Sequence, residues 1–93
     1  MNIYYRKENT DVIWLNIVRN ENKIFKTIRG VSYTYIVKDN FILINGDKRR
    51  RITKDMINCA LHITNPLPSK LKEKGIWGPS YVYGIITDDR IKI

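Results

Sequence analysis

The sequence predicts a single α+β domain in which a small antiparallel sheet of three to four strands has two or three helices packed on one face. Its 93 residues, 43% hydrophobic and 28% charged, suit one ordinary globular domain with a thin core, and we assign residues 1–93 to it. Apolar residues alternate with a period of two in the middle of the chain and recur at helical spacing towards both ends. Each such element has one apolar face, so the helices and the sheet are expected to bury these faces against each other.

The first element, Thr10–Asn20, is predicted to be a helix. Ile13 and Ile17 are four residues apart and share one apolar stripe. Asn9 or Thr10 supplies a side chain suited to cap the helix start. The β-branched residues of this segment favour a strand instead, so a strand remains the alternative.

The middle of the chain is predicted to form a three-stranded antiparallel meander. Val31, Tyr33, Tyr35 and Val37 fall on one face of an alternating strand. The two tyrosines are spaced like stacking platforms for single-stranded bases, but their valine neighbours favour a position in the core. The accompanying predicted segments are the short mixed segment Lys23–Ile28, the turn Arg29-Gly30, the turn Lys38–Asn40, the returning strand Phe41–Ile44, the positive-φ turn Asn45-Gly46 and a candidate fourth strand, Asp47–Ile52.

A second helix is predicted over Lys54–Thr64. Thr53 is suited to cap its start, and the apolar residues inside it repeat at helical spacing. Asn65-Pro66 ends it, because a residue before proline avoids the α region. The residues that follow, Pro66–Gly78, are predicted to form a loop.

A last helix is predicted to open at Gly78-Pro79-Ser80, with proline at its first position. Gly84 weakens the helical pattern by about 1 kcal/mol relative to alanine. A strand over Tyr81–Ile86 therefore remains the alternative for this segment.

The chain offers little for catalysis or metal binding. With one cysteine and one histidine it cannot form an internal disulfide or a Cys/His zinc site. Cys59 and His62 are three residues apart on the predicted helix, but no third group is marked to orient the imidazole. The sequence contains neither a Walker-type phosphate loop nor a dinucleotide-binding glycine motif. We therefore expect no enzyme, cofactor or metal; a small enzyme acting on nucleic acid would depend on His62.

The terminal and apolar segments predict the compartment. Residues Met1–Thr10 contain no apolar stretch of the signal-peptide type, and the longest apolar runs, Val12–Leu15 and Phe41–Ile44, are too short for a membrane span. An unpaired Cys59 suits a reducing environment. We expect a cytoplasmic protein without membrane contact.

The charge of the chain predicts an anionic partner. The formal net charge is +8, which favours encounters with polyanions such as nucleic acid. The alternative explanation is a lysine-rich surface that merely reflects the codon bias of an AT-rich genome. The three consecutive arginines Arg49–Arg51 are harder to explain in that way.

Three groups of candidate site residues follow from this charge pattern. A basic run lies directly before a predicted helix N-terminus, where the helix dipole and free amides favour a bound phosphate. A lysine-rich segment precedes the start of the last predicted helix, and several aromatic residues there suit stacking or partner contact. The three groups are Lys48, Arg49, Arg50, Arg51, Thr53 and Lys54; Lys70, Lys72, Lys74, Ser80 and Arg90; and Trp77, Tyr81 and Tyr83.

The chain also resembles a family of short bacterial and phage proteins of unassigned function. The resemblance rests on Thr27-Ile-Arg-Gly with Tyr33-Thr-Tyr, on Ile52-Thr-Lys-Asp-Met56, and on Gly78-Pro-Ser-Tyr with Asp88-Asp-Arg-Ile91. It covers most of residues 27–91. The resemblance implies that Gly78-Pro79-Ser80 and Arg90 do more than shape the chain locally, and it implies a phage or mobile-element origin.

These observations predict a non-enzymatic nucleic-acid-binding module that contacts phosphates of DNA or RNA through the arginine run. The alternative is a phage- or mobile-element-encoded factor that binds an acidic or nucleic-acid-binding surface of a host enzyme, as an inhibitor or adaptor. Its anchors would be Trp77, Tyr81 and Tyr83 with an arginine rim.

Overall fold

The structure is a computed structural model that describes residues 7–92, with side chains from residue 10 onward. Its helices and antiparallel strands confirm the predicted α+β class. In chain order the elements of this part of the chain are α1 (Lys7–Arg19), β1 (Phe25–Lys26), β2 (Ser32–Tyr33), β3 (Tyr35–Lys38), β4 (Phe41–Ile44), β5 (Arg51–Thr53), α2 (Lys54–Leu61), α3 (Pro68–Glu73) and α4 (Pro79–Ile86).

Strands β3, β4 and β5 form a three-stranded antiparallel meander, but its third strand comes from the candidate fourth strand of the prediction, because β1 pairs with β2 in a separate sheet. The β3–β4 hairpin closes between Lys38 and Phe41, which pair across a two-residue turn. After β4, Asn45 and Gly46 both have positive φ, 54° and 70°, as the Asn-Gly pair predicts. The candidate fourth strand is shorter than expected, because residues 47–50 form a turn held by the bond from the Arg50 amide to the Asp47 carbonyl, and only Arg51–Thr53 pairs with β4.

The single strand predicted over residues 31–37 is divided between two sheets. β2 pairs with β1 in a separate hairpin, whereas β3 pairs with β4. Thr34 lies between them, and both its amide and its carbonyl bond to Asn45, in the turn after β4. Val31 precedes β2 and is exposed, so it does not share the buried face of Tyr33 and Tyr35.

The first segment is a helix rather than a strand. Ile13 and Ile17 are buried on its inner side, as their spacing predicts. The predicted cap at Asn9 or Thr10 is wrong, because α1 already begins at Lys7. Thr10 therefore lies inside the helix, where its hydroxyl donates to Asn58 Oδ1 of α2 at 2.8 Å.

Helix α2 begins as predicted and ends earlier. The Thr53 hydroxyl caps it by accepting a hydrogen bond from the Met56 amide at 3.1 Å. The helix stops at Leu61 rather than Thr64, since the next amides bond three residues back, including that of His62 to the carbonyl of Cys59.

The loop predicted over residues 66–78 is wrong in part, because it contains the six-residue helix α3. Pro68 occupies the first turn of this helix, and Leu71 is fully buried beneath it. One buried leucine and a well-placed proline thus organise a segment that is otherwise rich in lysine.

Helix α4 confirms the helical prediction for the last segment and lies directly on the β1–β2 hairpin. A Cβ built on Gly84 would be 2.6 Å from the Lys26 carbonyl oxygen and 2.6 Å from the Tyr33 hydroxyl. Glycine is therefore required by a close approach of two backbones. The Tyr33 hydroxyl donates to the Tyr81 carbonyl at 2.8 Å, which fixes the hairpin to the start of the helix.

One core joins the helices to both sheets. The core position of Tyr33 and Tyr35 is confirmed, since they are 3% and 0% exposed. Phe25 packs between them, with ring centroids 6.1 Å from Tyr33 and 5.2 Å from Tyr35. Tyr35 also donates its hydroxyl to the carbonyl of Ile17 in α1, which links the sheet to the first helix.

Candidate functional site

The three arginines of the basic run lie in three different surroundings. Arg49 is the most exposed, with 91% of its side chain accessible and its Nε 3.3 Å from Asp47 Oδ1. Arg50 is 45% exposed and donates from Nη1 to the Tyr81 hydroxyl at 3.0 Å. Arg51 lies over the Phe41 ring, 4.1 Å from its centroid. The run is therefore not a single cluster, and Arg50 connects it to the start of α4.

Asp47 is the acidic neighbour of the two leading arginines. Its Oδ1 accepts the backbone amide of Arg49, and Arg50 Nε lies 3.6 Å from its Oδ2. Hydrogen bonds from Arg49, first from the backbone amide and then from the guanidinium, lower the pKa of the Asp47 carboxyl. Asp47 is therefore charged at neutral pH and would compete with any incoming anion for Arg49 and Arg50.

The start of α2, where we expected a phosphate, is stabilised by groups of the protein itself. Besides the Thr53 cap, the Lys54 amide donates to the Asn40 carbonyl at 2.7 Å. Lys54 Nζ lies 3.1 Å from Asp11 Oδ1, so its charge is partly matched. This helix start borders a cleft of about 500 Å³ whose lining includes the carboxylates of Asp11 and Asp55. The arginines are not gathered at this helix end.

A groove of about 300 Å³ separates the β1–β2 turn from the start of α4, and we call it the Tyr81 groove. None of the described residues that line it is acidic. Arg29 lines one side, and the Tyr81 ring, whose hydroxyl binds Arg50, lines the other. One cation, Arg29, thus lines the groove, and a second, Arg50, binds a residue that lines it. The lining residues are Thr27, Arg29, Val31, Gly78, Pro79, Ser80 and Tyr81.

Trp77 and Tyr81 form an aromatic pair beside this groove. Their ring centroids are 6.4 Å apart and their planes differ by 28°. Trp77 keeps 41% of its surface exposed, whereas Tyr81 also packs against Tyr33 in a T-shaped arrangement with ring centroids 4.9 Å apart. The third predicted contact residue, Tyr83, lies two positions along α4 and so on a different side of the helix. It is half-buried against the core.

The two lysines of α3 and Lys74, which follows the helix, do not form one continuous track. Lys70 and Lys74 are four residues apart and line a separate groove of about 520 Å³. Lys72 points elsewhere, because positions two apart on a helix do not face each other. The same groove includes the exposed Cys59 and His62, whose Nδ1 bonds to the Asn58 carbonyl oxygen at 2.8 Å.

Ser80 and Arg90, predicted as partners, lie in different surroundings. Ser80 lines the Tyr81 groove. Arg90 is bound to Asp88 at 2.9 Å, donates to the Ile24 carbonyl at 2.8 Å and lies over the Phe25 ring. The hydrogen bond from the Arg90 guanidinium lowers the pKa of the Asp88 carboxyl. Arg90 thus ties the residues after α4 to the β1 region.

Sequence reasoning did not include Arg29 and Asp47 among the site residues. The Arg29-Gly30 turn was predicted, and its exposed position follows from that prediction. Its place beside α4 depends on the packing of the hairpin on Gly84, which no local pattern reveals. Asp47 had a stronger local signal, since an aspartate two residues before Arg49 can accept its backbone amide in a turn.

Two kinds of feature are absent from the part of the chain that the structure describes. No helix there is long and apolar enough to cross a membrane. In the same part of the chain, no group of three or more His, Cys, Asp or Glu side chains is placed to hold a metal ion.

Comparisons of the chain with protein-family models, with curated proteins and with solved structures find no match.

Proposed function

We propose that this protein is a small non-enzymatic nucleic-acid-binding module whose contact surface is the Tyr81 groove with Arg29, Arg49, Arg50 and Trp77. The observation that carries the proposal is the bond from Arg50 to the Tyr81 hydroxyl. It joins the basic run to a groove whose described lining contains no acidic residue, and to an exposed aromatic ring. Cations beside exposed aromatic rings suit a ligand with both phosphates and bases.

The arginines retain capacity for phosphate. A guanidinium has five N–H donors, and the bond to Tyr81 leaves most of those of Arg50 available. The ion pairs with Asp47 are exposed, and screening by water keeps the contribution of such pairs to stability small. A phosphate that takes both guanidinium groups can therefore displace Asp47.

The other predicted cations have a supporting role in this proposal. Lys48 is exposed next to Arg49 and extends the positive surface. The α3 lysines add to the long-range field of a chain with net charge +8, which raises the rate of encounter with a polyanion.

The test is a fluorescence-anisotropy titration with labelled single-stranded DNA, duplex DNA and RNA over a range of salt concentrations. The variant Arg49→Gln/Arg50→Gln removes two cations from the surface. Its matched control, Arg19→Gln/Lys23→Gln, removes two exposed cations from the end of α1 and the following turn.

We expect the wild type to bind more weakly as salt rises. Loss of two phosphate contacts should reduce the slope of log K against log salt by about 1.4 for a single strand and by about 1.8 for a duplex. The control should leave the slope nearly unchanged. Equal slopes in both variants would exclude this surface, and an absence of binding at low salt would exclude the function.

A second candidate function is a protein-interaction factor, such as one encoded by a phage or mobile element. The observation that favours it is an apolar outer face on α1, where Val12, Leu15 and Val18 are 48%, 46% and 38% exposed. A partner bound there would be retained in high salt, because apolar contacts are not screened. Retention of one defined partner that Leu15→Asp abolishes would support this function over the first.

A further inference from the structure

We infer that the nucleic acid bound at the Tyr81 groove is single-stranded, with one base stacked on Trp77 and the adjoining phosphates held by Arg29 and Arg50. This inference rests on the proposed function, which by itself leaves the type of strand open. It adds a definite role for Trp77, which has no place in a purely phosphate-based interface.

The first argument is the way in which Trp77 is held. Tyr81 packs nearly parallel to the indole, with an interplanar angle of 28°, while 41% of the tryptophan surface stays open. A base that stacks on the open part of the ring would continue an existing stack. Stacking of bases on aromatic rings is the usual source of affinity for single strands.

The second argument is that the aromatic pair is fixed before any ligand arrives. Three contacts hold Tyr81. Its hydroxyl accepts a hydrogen bond from Arg50, its ring packs against the Tyr33 ring in a T-shaped arrangement, and its carbonyl accepts a hydrogen bond from the Tyr33 hydroxyl. Trp77 follows Ile76, which is buried and anchors the loop before α4. A fixed platform loses little conformational freedom on binding, so more of the stacking energy becomes affinity.

The third argument concerns shape. Bases in a duplex are already stacked on each other and present only their edges in the grooves. The Tyr81 groove, of about 300 Å³, is at the lower end of the range of ligand pockets and suits a unit the size of one nucleotide. Trp77 lies in a loop beside this groove, not on a protruding helix or β-ribbon that would enter the major groove.

The charges complete the match. Arg29 and Tyr81 line the groove, and Arg50 binds the Tyr81 hydroxyl, so each cation is associated with the groove or with the aromatic pair beside it. The described lining includes no carboxylate that would repel the strand, and Asp47 lies beyond Arg50.

The test compares a labelled single-stranded oligonucleotide with the duplex of the same sequence, using wild type, Trp77→Ala and Trp77→Phe. Trp77→Ala should weaken single-strand binding by about five- to a hundredfold and leave the salt slope unchanged. Trp77→Phe should recover part of the loss, because phenylalanine retains a ring for stacking. Duplex binding should be weaker in the wild type and change little in either variant.

Intrinsic fluorescence gives a second measurement that needs no stable alanine variant. The chain has two tryptophans, and the other one, Trp14, is only 8% exposed. The single strand should quench the wild-type emission, and the quenching should disappear in Trp77→Phe. The inference is overturned if the protein binds nucleic acid but prefers the duplex, or if Trp77→Ala affects both forms equally or neither. If no nucleic acid binds the wild type at all, the proposed function itself fails.

Discussion

The close packing of α4 on the β1–β2 hairpin predicts that Gly84→Ala destabilises the protein, although helix propensity alone predicts the opposite. Alanine is favoured over glycine inside a helix by about 1 kcal/mol. At this position, however, the new methyl group would lie 2.6 Å from both the Lys26 carbonyl oxygen and the Tyr33 hydroxyl. Ordinary contacts begin near 3.4 Å, so the helix and the hairpin must separate by most of an ångström.

The magnitude follows from what that separation disrupts. Overpacking of this kind usually destabilises by about 1–3 kcal/mol. Loss of the hydrogen bond from Tyr33 to the Tyr81 carbonyl adds about 1 kcal/mol. After the propensity gain of about 1 kcal/mol is subtracted, the expected net loss is about 1–3 kcal/mol. That is a large fraction of the roughly 5–14 kcal/mol expected for a chain of this length.

The assay is equilibrium unfolding in urea, followed by far-UV circular dichroism. With a slope of about 1–2 kcal/mol/M, a loss of about 1–3 kcal/mol should lower the midpoint by about 0.5–3 M. A double-mutant cycle with Tyr33→Phe provides the control, since phenylalanine removes one of the two oxygens that the methyl group meets. Gly84→Ala should be less damaging in that background. An unchanged or raised midpoint for Gly84→Ala alone would refute the argument from close packing.

Two further predictions concern charge. Asp47→Asn keeps the acceptor for the Arg49 amide but frees both arginines, so single-strand affinity should rise by about two- to fivefold at low salt. The control Asp89→Asn changes the net charge by the same amount at a distance from the groove, so it should raise the affinity less. Equal effects of the two variants in anisotropy titrations would argue against a role for Arg49 and Arg50 in binding. Burial raises the pKa of Tyr33 and Tyr35, so both stay neutral in the folded protein while they ionise in the unfolded chain near pH 10. The free energy of unfolding should therefore be insensitive to these groups below pH 10 and fall at higher pH, and urea midpoints that stay constant up to pH 11 would contradict this.

Local patterns were sufficient for most of the secondary structure. The apolar stripe of α1, the cap at Thr53 and the Asn45-Gly46 turn are all set by neighbours in sequence, and each was predicted at the right place. The division of residues 31–37 could not be predicted in this way. It depends on the bonds between Thr34 and Asn45, residues that are 11 positions apart and brought together by the pairing of β3 with β4.

The candidate site shows the same limit. Arg50, Trp77 and Tyr81 were each singled out by residue type, from two separate stretches of sequence. Their meeting depends on a contact across 31 positions, which composition and spacing do not contain. The α3 lysines were expected on one track for a related reason: the helix that turns Lys72 away from Lys70 is stabilised by one buried leucine.

The several roles of Tyr81 limit how the surface around the Tyr81 groove can evolve. Its ring packs against the Tyr33 ring of the hairpin and supports the neighbouring indole, and its hydroxyl positions a guanidinium. Substitution of Tyr81 would alter folding and recognition together and would be strongly disfavoured by selection. Trp77 and Arg49 are more exposed at the margin of this surface, and neither combines several packing and binding contacts as Tyr81 does. Divergent copies of this chain should therefore acquire new ligand preferences at the margin while the tyrosine at the centre is retained.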